Sequence, residues 1–129
     1  MNNAKVIIVM PAHNVEKIIP KTIEDVRSVC DADILVVDDG SSDGTARRLA
    51  AFNQRVHVVT HQKNQGYGAA LRTAFQFASD GDYDVLVTID CDGQHEPQRI
   101  SEFVAACRDT SDGRLVDIVS GSRYLKNFY

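Results

Sequence analysis

The stretch Ile34-Leu35-Val36-Val37-Asp38-Asp39-Gly40-Ser41-Ser42-Asp43-Gly44-Thr45 decides the fold. Four apolar, mostly β-branched residues form a short run suited to a strand buried on both faces. The run stops at two adjacent carboxylates. From Asp38 to Thr45 the residues are those that favour turns. Asp43 or Ser42 is placed to cap a helix that carries Ala46, Leu49, Ala50 and Phe52. A buried strand, an acidic turn and a helix, in that order, open a βαβ unit.

The same alternation continues on both sides. Upstream, Val6-Ile7-Ile8-Val9-Met10 is a continuous apolar run that Pro11 ends. Ile19, Ile23 and Val26 then recur at helical spacing, which predicts a helix from about Pro20 to Val29 with the proline in its first turn. Downstream, Val56 to Thr60 reads as a third strand. Gly66-Tyr67-Gly68 opens a helix with Ala70, Ala74, Phe77 and Ala78 on one side. Val85 to Ile89 is the fourth strand. Pro97 starts a further helix with Ile100, Phe103, Val104 and Cys107 facing inward, and Val116 to Ser120 is a fifth, shorter strand. The order βαβαβαβαβ predicts an α/β fold: a mostly parallel, Rossmann-like sheet with helices on both faces and right-handed crossovers. Ligands of such sheets bind at the carboxyl ends of the strands.

Composition sets the outer bounds. At 129 residues the chain is one domain in size, and 43% apolar with 25% charged residues is ordinary for a globular protein. Disordered, collagen-like and disulfide-scaffold readings are thereby excluded. No apolar run approaches the roughly 20 residues that span a bilayer, and no secretory leader is legible after Met1. A net charge of −4 speaks against nucleic acid as a partner. Cys30, Cys91 and Cys107 match no zinc spacing and read as reduced thiols, which implies a cytoplasmic chain.

The informative residues follow the strands. Pro11-Ala12-His13-Asn14-Val15-Glu16 follows the first, Asp38-Asp39-Gly40-Ser41 the second, Asp90-Cys91-Asp92-Gly93-Gln94-His95 the fourth and Gly121-Ser122-Arg123-Tyr124 the fifth. Asp90 and Asp92 alternate, so on an extended segment both carboxylates point one way. That arrangement suits a hard cation, Mg²⁺ or Mn²⁺, shared with a ligand's phosphates. The plainer alternative is a pair of solvated loop aspartates near a helix start. Asp38 and Asp39 also have two readings: a helix-capping turn, or acceptors for a nucleobase N–H with Pro11 and Ala12 as apolar contacts. Gly66 and Gly68 either let a loop pack closely or let backbone approach a nucleotide. They do not form the Rossmann glycine fingerprint, and there is no Walker lysine. His57 and His61 read as solvated or internally satisfied strand residues. Arg123 lies near the acidic edge, where it could meet a phosphate.

Jointly these segments resemble the family-2 glycosyltransferases of GT-A fold. The resemblance rests on Val6 to Glu16, Ile34 to Thr45, Asn64 to Ala74, Val85 to Glu96 and Ile118 to Tyr124. The Asp90–His95 and Gly121–Tyr124 runs look most like the polyprenyl (dolichyl) phosphate mannosyl- and glucosyltransferase branch. The resemblance implies one nucleotide-sugar-binding domain over residues 1–129, the donor-binding N-terminal portion of a longer catalytic domain and so a truncated GT-A fold. It implies that Pro11, Ala12, Asn14, Glu16, Asp38, Asp39 and Gly66 line the nucleoside pocket. Asp90 and Asp92 would form the DXD metal site, with Asp92 the direct ligand and Asp90 nearer the ribose or sugar. Gln94 would be a further metal or sugar contact, and Arg123 would meet a donor or acceptor phosphate. The chain departs from the family at His13, where tyrosine or phenylalanine is usual, and at Val15, which separates Asn14 from Glu16.

The reaction so implied is inverting transfer of a sugar from GDP-mannose or UDP-glucose to a polyprenyl phosphate or a saccharide. A divalent cation would stabilise the departing diphosphate. A hydroxyl acceptor needs a general base, whereas a lipid phosphate is already an anion. The implied place is the cytoplasm, with peripheral association at the inner face of the membrane. The isolated chain is expected to bind nucleotide and metal with weak or no transfer, and an exposed sheet edge would favour homo-oligomers. Two alternatives remain at this point. One is a non-catalytic nucleotide-sugar-binding module. The other is a receiver-like phosphoacceptor domain, which would need an acidic pair after the first strand and a lysine after the fifth.

Overall fold

In the computed structural model, residues 5–52, 56–91 and 100–108 are described. They form β1 (Val6–Ala12), α1 (Ile19–Val29), β2 (Asp33–Asp39), α2 (Thr45–Ala50), β3 (Val56–His61), α3 (Tyr67–Asp80), β4 (Val85–Thr88) and α4 (Ile100–Arg108). The expected strand at 116–120, the helix start at Pro97 and the side chains of Phe103 and Cys107 lie outside the described residues.

The four strands are all parallel, in the order β3-β2-β1-β4. Continuous apolar runs suit such a sheet because both faces are covered. Ile7 to Met10 and Ile34 to Val37 are all fully buried. Alternate residues supply opposite faces. Ile8, Met10, Ile34 and Val36 pack with Ile19, Ile23 and Val26 of α1, Leu49 of α2 and Ile100 of α4. Ile7, Val9, Leu35 and Val37 pack against Ala70, Ala74 and Ala78 of α3. Alanines at that contact let α3 lie close to the sheet. Phe77 is only partly buried on this face, and Ala69 is buried beside Ala70.

Two strands run further than expected. β1 continues through Pro11 and Ala12, paired with Val37 and Asp38. The carbonyl of Val9 accepts from Ile89 N, so Pro11, two residues on, turns its donor-less nitrogen to the same side. Pairing with β4 has already ended there, at Val9 and Thr88, so no ladder bond is lost. β2 continues through Asp38 and Asp39, which pair with Thr60 and His61 of β3. These aspartates are strand residues, not turn residues, and only Gly40 onward forms the loop.

The expected cap of α2 is also different. The N-cap is Gly44, with no side-chain cap bond. Asp43 instead accepts from Thr45 N (3.0 Å) and Thr45 Oγ1 (2.5 Å) and, more loosely, from Glu16 N (3.3 Å). The Thr45 hydroxyl, helped by the backbone donors, outweighs desolvation and holds the Asp43 carboxyl below its ordinary pKa.

The opposite end of the sheet is pinned by a separate cluster. Lys5 Nζ donates to Gly81 O (2.6 Å) and sits 4.4 Å from the Tyr83 ring centroid. Tyr83 Oη donates to Asp33 Oδ2 at 2.6 Å. Burial, the Asp33 hydrogen bond and its charge push the Tyr83 hydroxyl up to about 12. The folded value lies above the unfolded one, so this stabilisation is complete below pH ~10 and lost as pH rises towards 12. Tyr83→Phe is expected to cost about 1 kcal/mol at neutral pH and to flatten the alkaline fall in stability. Urea midpoints at pH 7 and pH 11 check both parts. No helix among the described residues is long and apolar enough to cross a membrane.

Candidate functional site

With β2 and β3 on one side of β1 and β4 on the other, the chain reverses its direction of build across β1. A parallel sheet leaves a crevice at the carboxyl ends beside such a reversal. A cleft of about 300 Å³ lies there, lined by Pro11, Ala12, His13, Asp39, Asn64, Gly66, Tyr67 and Ala70. It is large enough to take a nucleoside-sized group.

Asp39 organises the wall. Its side chain points to the α3 side of the sheet, opposite to that of Asp38. Oδ1 accepts from His61 Nδ1 (2.7 Å) and Gln65 N (2.9 Å), and Oδ2 accepts from Gly66 N (2.8 Å). His61 is completed by Thr73 Oγ1 of α3 at 2.8 Å from Nε2. An ionised carboxylate only accepts, so His61 Nδ1 carries a proton and donates to Asp39, while Nε2 and the Thr73 hydroxyl share the second hydrogen bond. Burial alone would raise the Asp39 carboxyl. The His61 hydrogen bond, the two backbone N–H groups and the His61 charge together lower it below 3.8.

Two glycines shape this wall, Gly40 by close approach and Gly66 by its torsion. Gly40 has φ +68, and a Cβ there would collide with the backbone of Asn64 and of Lys63 (2.8 Å to its Cα). Gly66 has φ +99 and sits immediately before α3. Both torsions fall where side chains are disfavoured.

The rim is braced by amides. His13 Nδ1 donates to Asp39 O at 2.9 Å, which leaves Nε2 as the acceptor. Asn14 Nδ2 and Asn64 Nδ2 both approach Nε2 at 3.4 Å. Neither amide can be reversed without loss. Asn14 Oδ1 accepts from Ser42 N (2.8 Å) and Asn64 Oδ1 from Gly66 N (3.0 Å). Asn14 reaches its partners because its own φ is +54.

Of the residues expected in the pocket, the structure brings Pro11, Ala12, Asp39 and Gly66 together. Asn14, Glu16 and Asp38 are not on the cleft wall. Asn14 ties the β1–α1 loop to the β2–α2 loop, with its N–H also donating to Ser41 Oγ at 2.9 Å. Glu16 lies against Gly44, whose missing Cβ makes room for it. Asp38 is buried on the other face of the sheet and accepts from Ser41 N at 3.1 Å. Asp90 follows β4, exposed, with Oδ1 accepting from Tyr67 Oη at 3.3 Å. Tyr67 is itself 54% exposed, and burial of its hydroxyl next to the Asp90 charge raises its pKa. Asp92, Gln94 and Arg123 lie outside the described residues. Among the described residues no three His, Cys, Asp or Glu side chains converge as a metal set.

His61 is an internally satisfied strand residue, one of the two readings the sequence offered, while Tyr67 and Asn64 were not assigned to the site. A histidine at the end of the third strand and an exposed aromatic between two glycines were the available signals.

A parallel α/β sheet with a cleft at its reversal is the place where α/β folds of this kind bind their ligands. The comparisons then give the family. The profile of Glycosyl transferase family 2 matches residues 7–127, and the chain belongs to that family. It is similar to an undecaprenyl-phosphate mannosyltransferase of Micrococcus luteus, 36% identical over 123 residues, which covers 92% of this chain and 48% of the relative. It is similar to a polyprenol monophosphomannose synthase of Mycolicibacterium smegmatis, 36% identical over 126 residues, covering 94% and 46%. The chain therefore spans just under half the length of these curated relatives. The mannosyltransferase PcManGT of Pyrobaculum calidifontis, solved with GDP-Man and Mn²⁺, superposes with a TM-score of 0.71 at 22% identity, over 84% of this chain and 34% of that one. The fold is accordingly GT-A, as expected, and the receiver-like alternative is set aside.

Proposed function

We propose that this chain is the donor-binding portion of an inverting glycosyltransferase that passes a sugar from a nucleoside diphosphate to a polyprenyl phosphate. The observation that carries the reading is the cleft itself: a nucleoside-sized space at the strand ends, walled by Asp39 and Gly66, with Asp90 tied to its rim through Tyr67. The relatives' printed activities, on undecaprenyl phosphate and polyprenol, support the acceptor class. Such an acceptor brings the reaction to a membrane surface on the cytoplasmic side.

In this reading Pro11 and Ala12 give the nucleoside an apolar floor. Asp39 offers an acceptor to the base. Tyr67 closes the far wall and turns Asp90 toward the ribose or sugar. The exposed Asp90 carboxylate is a hard oxygen ligand, of the type that Mg²⁺ and Mn²⁺ take. Asp92, with Asp90, would hold the ion, and bound there it would act as a Lewis acid on the leaving diphosphate. Gln94 and Arg123 complete the proposed set, Arg123 toward phosphate. A phosphate acceptor carries its own nucleophilic charge, so no residue of this chain is assigned as general base.

The test is calorimetric titration of GDP and UDP with Mn²⁺, with Mg²⁺ and with EDTA. Metal-dependent binding of at least one nucleotide is expected, weakened at least tenfold in Asp92→Ala. A folded chain that binds neither, or binds equally well in EDTA and in Asp92→Ala, would overturn the reading.

A further inference from the structure

Charge is distributed unevenly along the strand direction. Helices α1, α2 and α3 each follow a strand, so their first turns and the loops before them stand at the carboxyl end of the sheet, around the cleft. Lys17, Arg47, Arg48, Lys63 and Arg72 are exposed there. α2 is six residues long, about 9 Å, so both of its arginines stay in that half. Arg72 reaches back along α3, its Nη1 3.7 Å from where a Cβ of Gly68 would stand. None of the five is ion-paired with another described residue. The acids of this end are turned to internal partners: Asp43 to Thr45, Asp90 to Tyr67, and Glu16 to the space beside Gly44. The amino end is opposite in sign. Asp31, Asp80, Asp82 and Asp84 are exposed at the end of α3 and in the turns that lead into β2 and β4. The Lys5 ammonium of that end is taken up by Gly81 O and the Tyr83 ring.

We infer that the carboxyl-end face docks on an anionic lipid bilayer. Lys17, Arg47 and Arg48 meet the headgroups from the side of the sheet that α1 and α2 cover, and Lys63 and Arg72 from the side that α3 covers. The inference deepens the proposed function and rests on its lipid-linked acceptor: a face so placed holds the cleft against the surface in which that acceptor lies. A chain of net charge −4 with its charge spread evenly would be repelled by such a surface. With the charge separated, the field of the surface orients the chain, cations toward the lipid and the Asp31–Asp84 end toward water. Two side chains add to the attraction. Ile18, beside Lys17, is 36% exposed, and Tyr67, at the cleft, is 54% exposed. An apolar tip and an amphipathic ring of this kind suit the headgroup layer. The long lysine and arginine stems let the charged heads reach phosphate while the body of the domain stays outside the bilayer.

The experiment is co-sedimentation of the chain with phosphatidylcholine vesicles and with vesicles that contain about 30% phosphatidylglycerol, at about 0.1 M and about 0.5 M salt. The partition coefficient is expected to be at least tenfold higher on the anionic vesicles at low salt, and the difference should vanish at high salt. Lys17→Gln and Lys63→Gln should each lower it at least threefold. Arg27→Gln removes the same charge from an exposed position near the far end of α1 and should leave it unchanged. All three positions are exposed, so the variants are expected to fold, and urea midpoints confirm it. Equal partition onto neutral and anionic vesicles would overturn the inference. So would an equal loss in Arg27→Gln, because the attraction would then follow total charge and not this face. Nucleotide titration without vesicles reads the proposed function separately. A chain that binds nucleotide but no anionic vesicle overturns the docking face alone; one that docks with the expected variant pattern but binds no nucleotide supports the face and overturns the proposed function.

Discussion

Gly40→Ala is expected to destabilise the chain by about 2–5 kcal/mol, the largest effect of any single methyl group added to the site. Two costs add. The residue sits at φ +68, where an L side chain costs about 1–2 kcal/mol. The new methyl would also enter the backbone of Lys63 and Asn64, and overpacking against a fixed main chain costs about 1–3 kcal/mol. Neither obstacle is a side-chain tip that could swing aside. The loop that would have to move carries Asn64, Gln65 and Gly66, so nucleotide binding should fall with stability. Urea unfolding of the two proteins measures the difference. A change below about 0.5 kcal/mol would mean that the 63–66 loop is free to shift.

Asp39→Asn is expected to cost about 2–4 kcal/mol at pH 7. The amide keeps one acceptor and puts an NH₂ where the second oxygen stood. At least one of the donors from His61, Gln65 and Gly66 is then left facing another donor. Leaving a buried donor unsatisfied costs about 1–3 kcal/mol, and bonds to a charged acceptor lie at the upper end. The substitution also changes the pH response. In the folded chain the Asp39 carboxyl lies below its ordinary 3.8, because its hydrogen bonds and the His61 charge outweigh burial. A depressed folded value stabilises above pH ~4, and that stability is lost as pH falls through the folded value. The wild type should therefore lose stability below pH ~4 more steeply than Asp39→Asn. Midpoints at pH 3 and pH 7 decide it: parallel losses would show that Asp39 does not titrate with folding.

The frame was legible because long-range packing and local pattern agree. Ile7 to Met10 and Ile34 to Val37 are apolar at every position, as burial on both faces requires. The alanines of α3 and the isoleucines of α1 recur at helical spacing. Asp38 and Asp39 misled because aspartate is poor in strands and rich in turns. The ladder overrides that preference, since Asp38 is paired on both sides, with Ala12 and Thr60, and Asp39 with His61 of β3. The partners of Asp39 lie 22 to 27 residues downstream, and no local rule links such positions. The β1 end misled in the opposite way: Asn14 has the chemistry of a ligand contact, but its left-handed backbone spends that chemistry on Ser42 and Asp43.

The strand order carries a consequence for how the chain folds. β1, β2 and β3 are joined by short crossovers, β1 pairing with β2 and β2 with β3. β4 instead returns to β1, and the contact that seals this return, Lys5 N to Asp84 Oδ2, bridges 79 residues. Closing so long a loop costs more entropy than closing either crossover, and contacts of high sequence separation slow folding. On a growing chain, β1 to β3 emerge with all their mutual partners, while one edge of β1 waits unpaired until residue 85 is synthesised. The two sides of the cleft are thus of different age: the Asp39 wall assembles early, and the Asp90 side is added last.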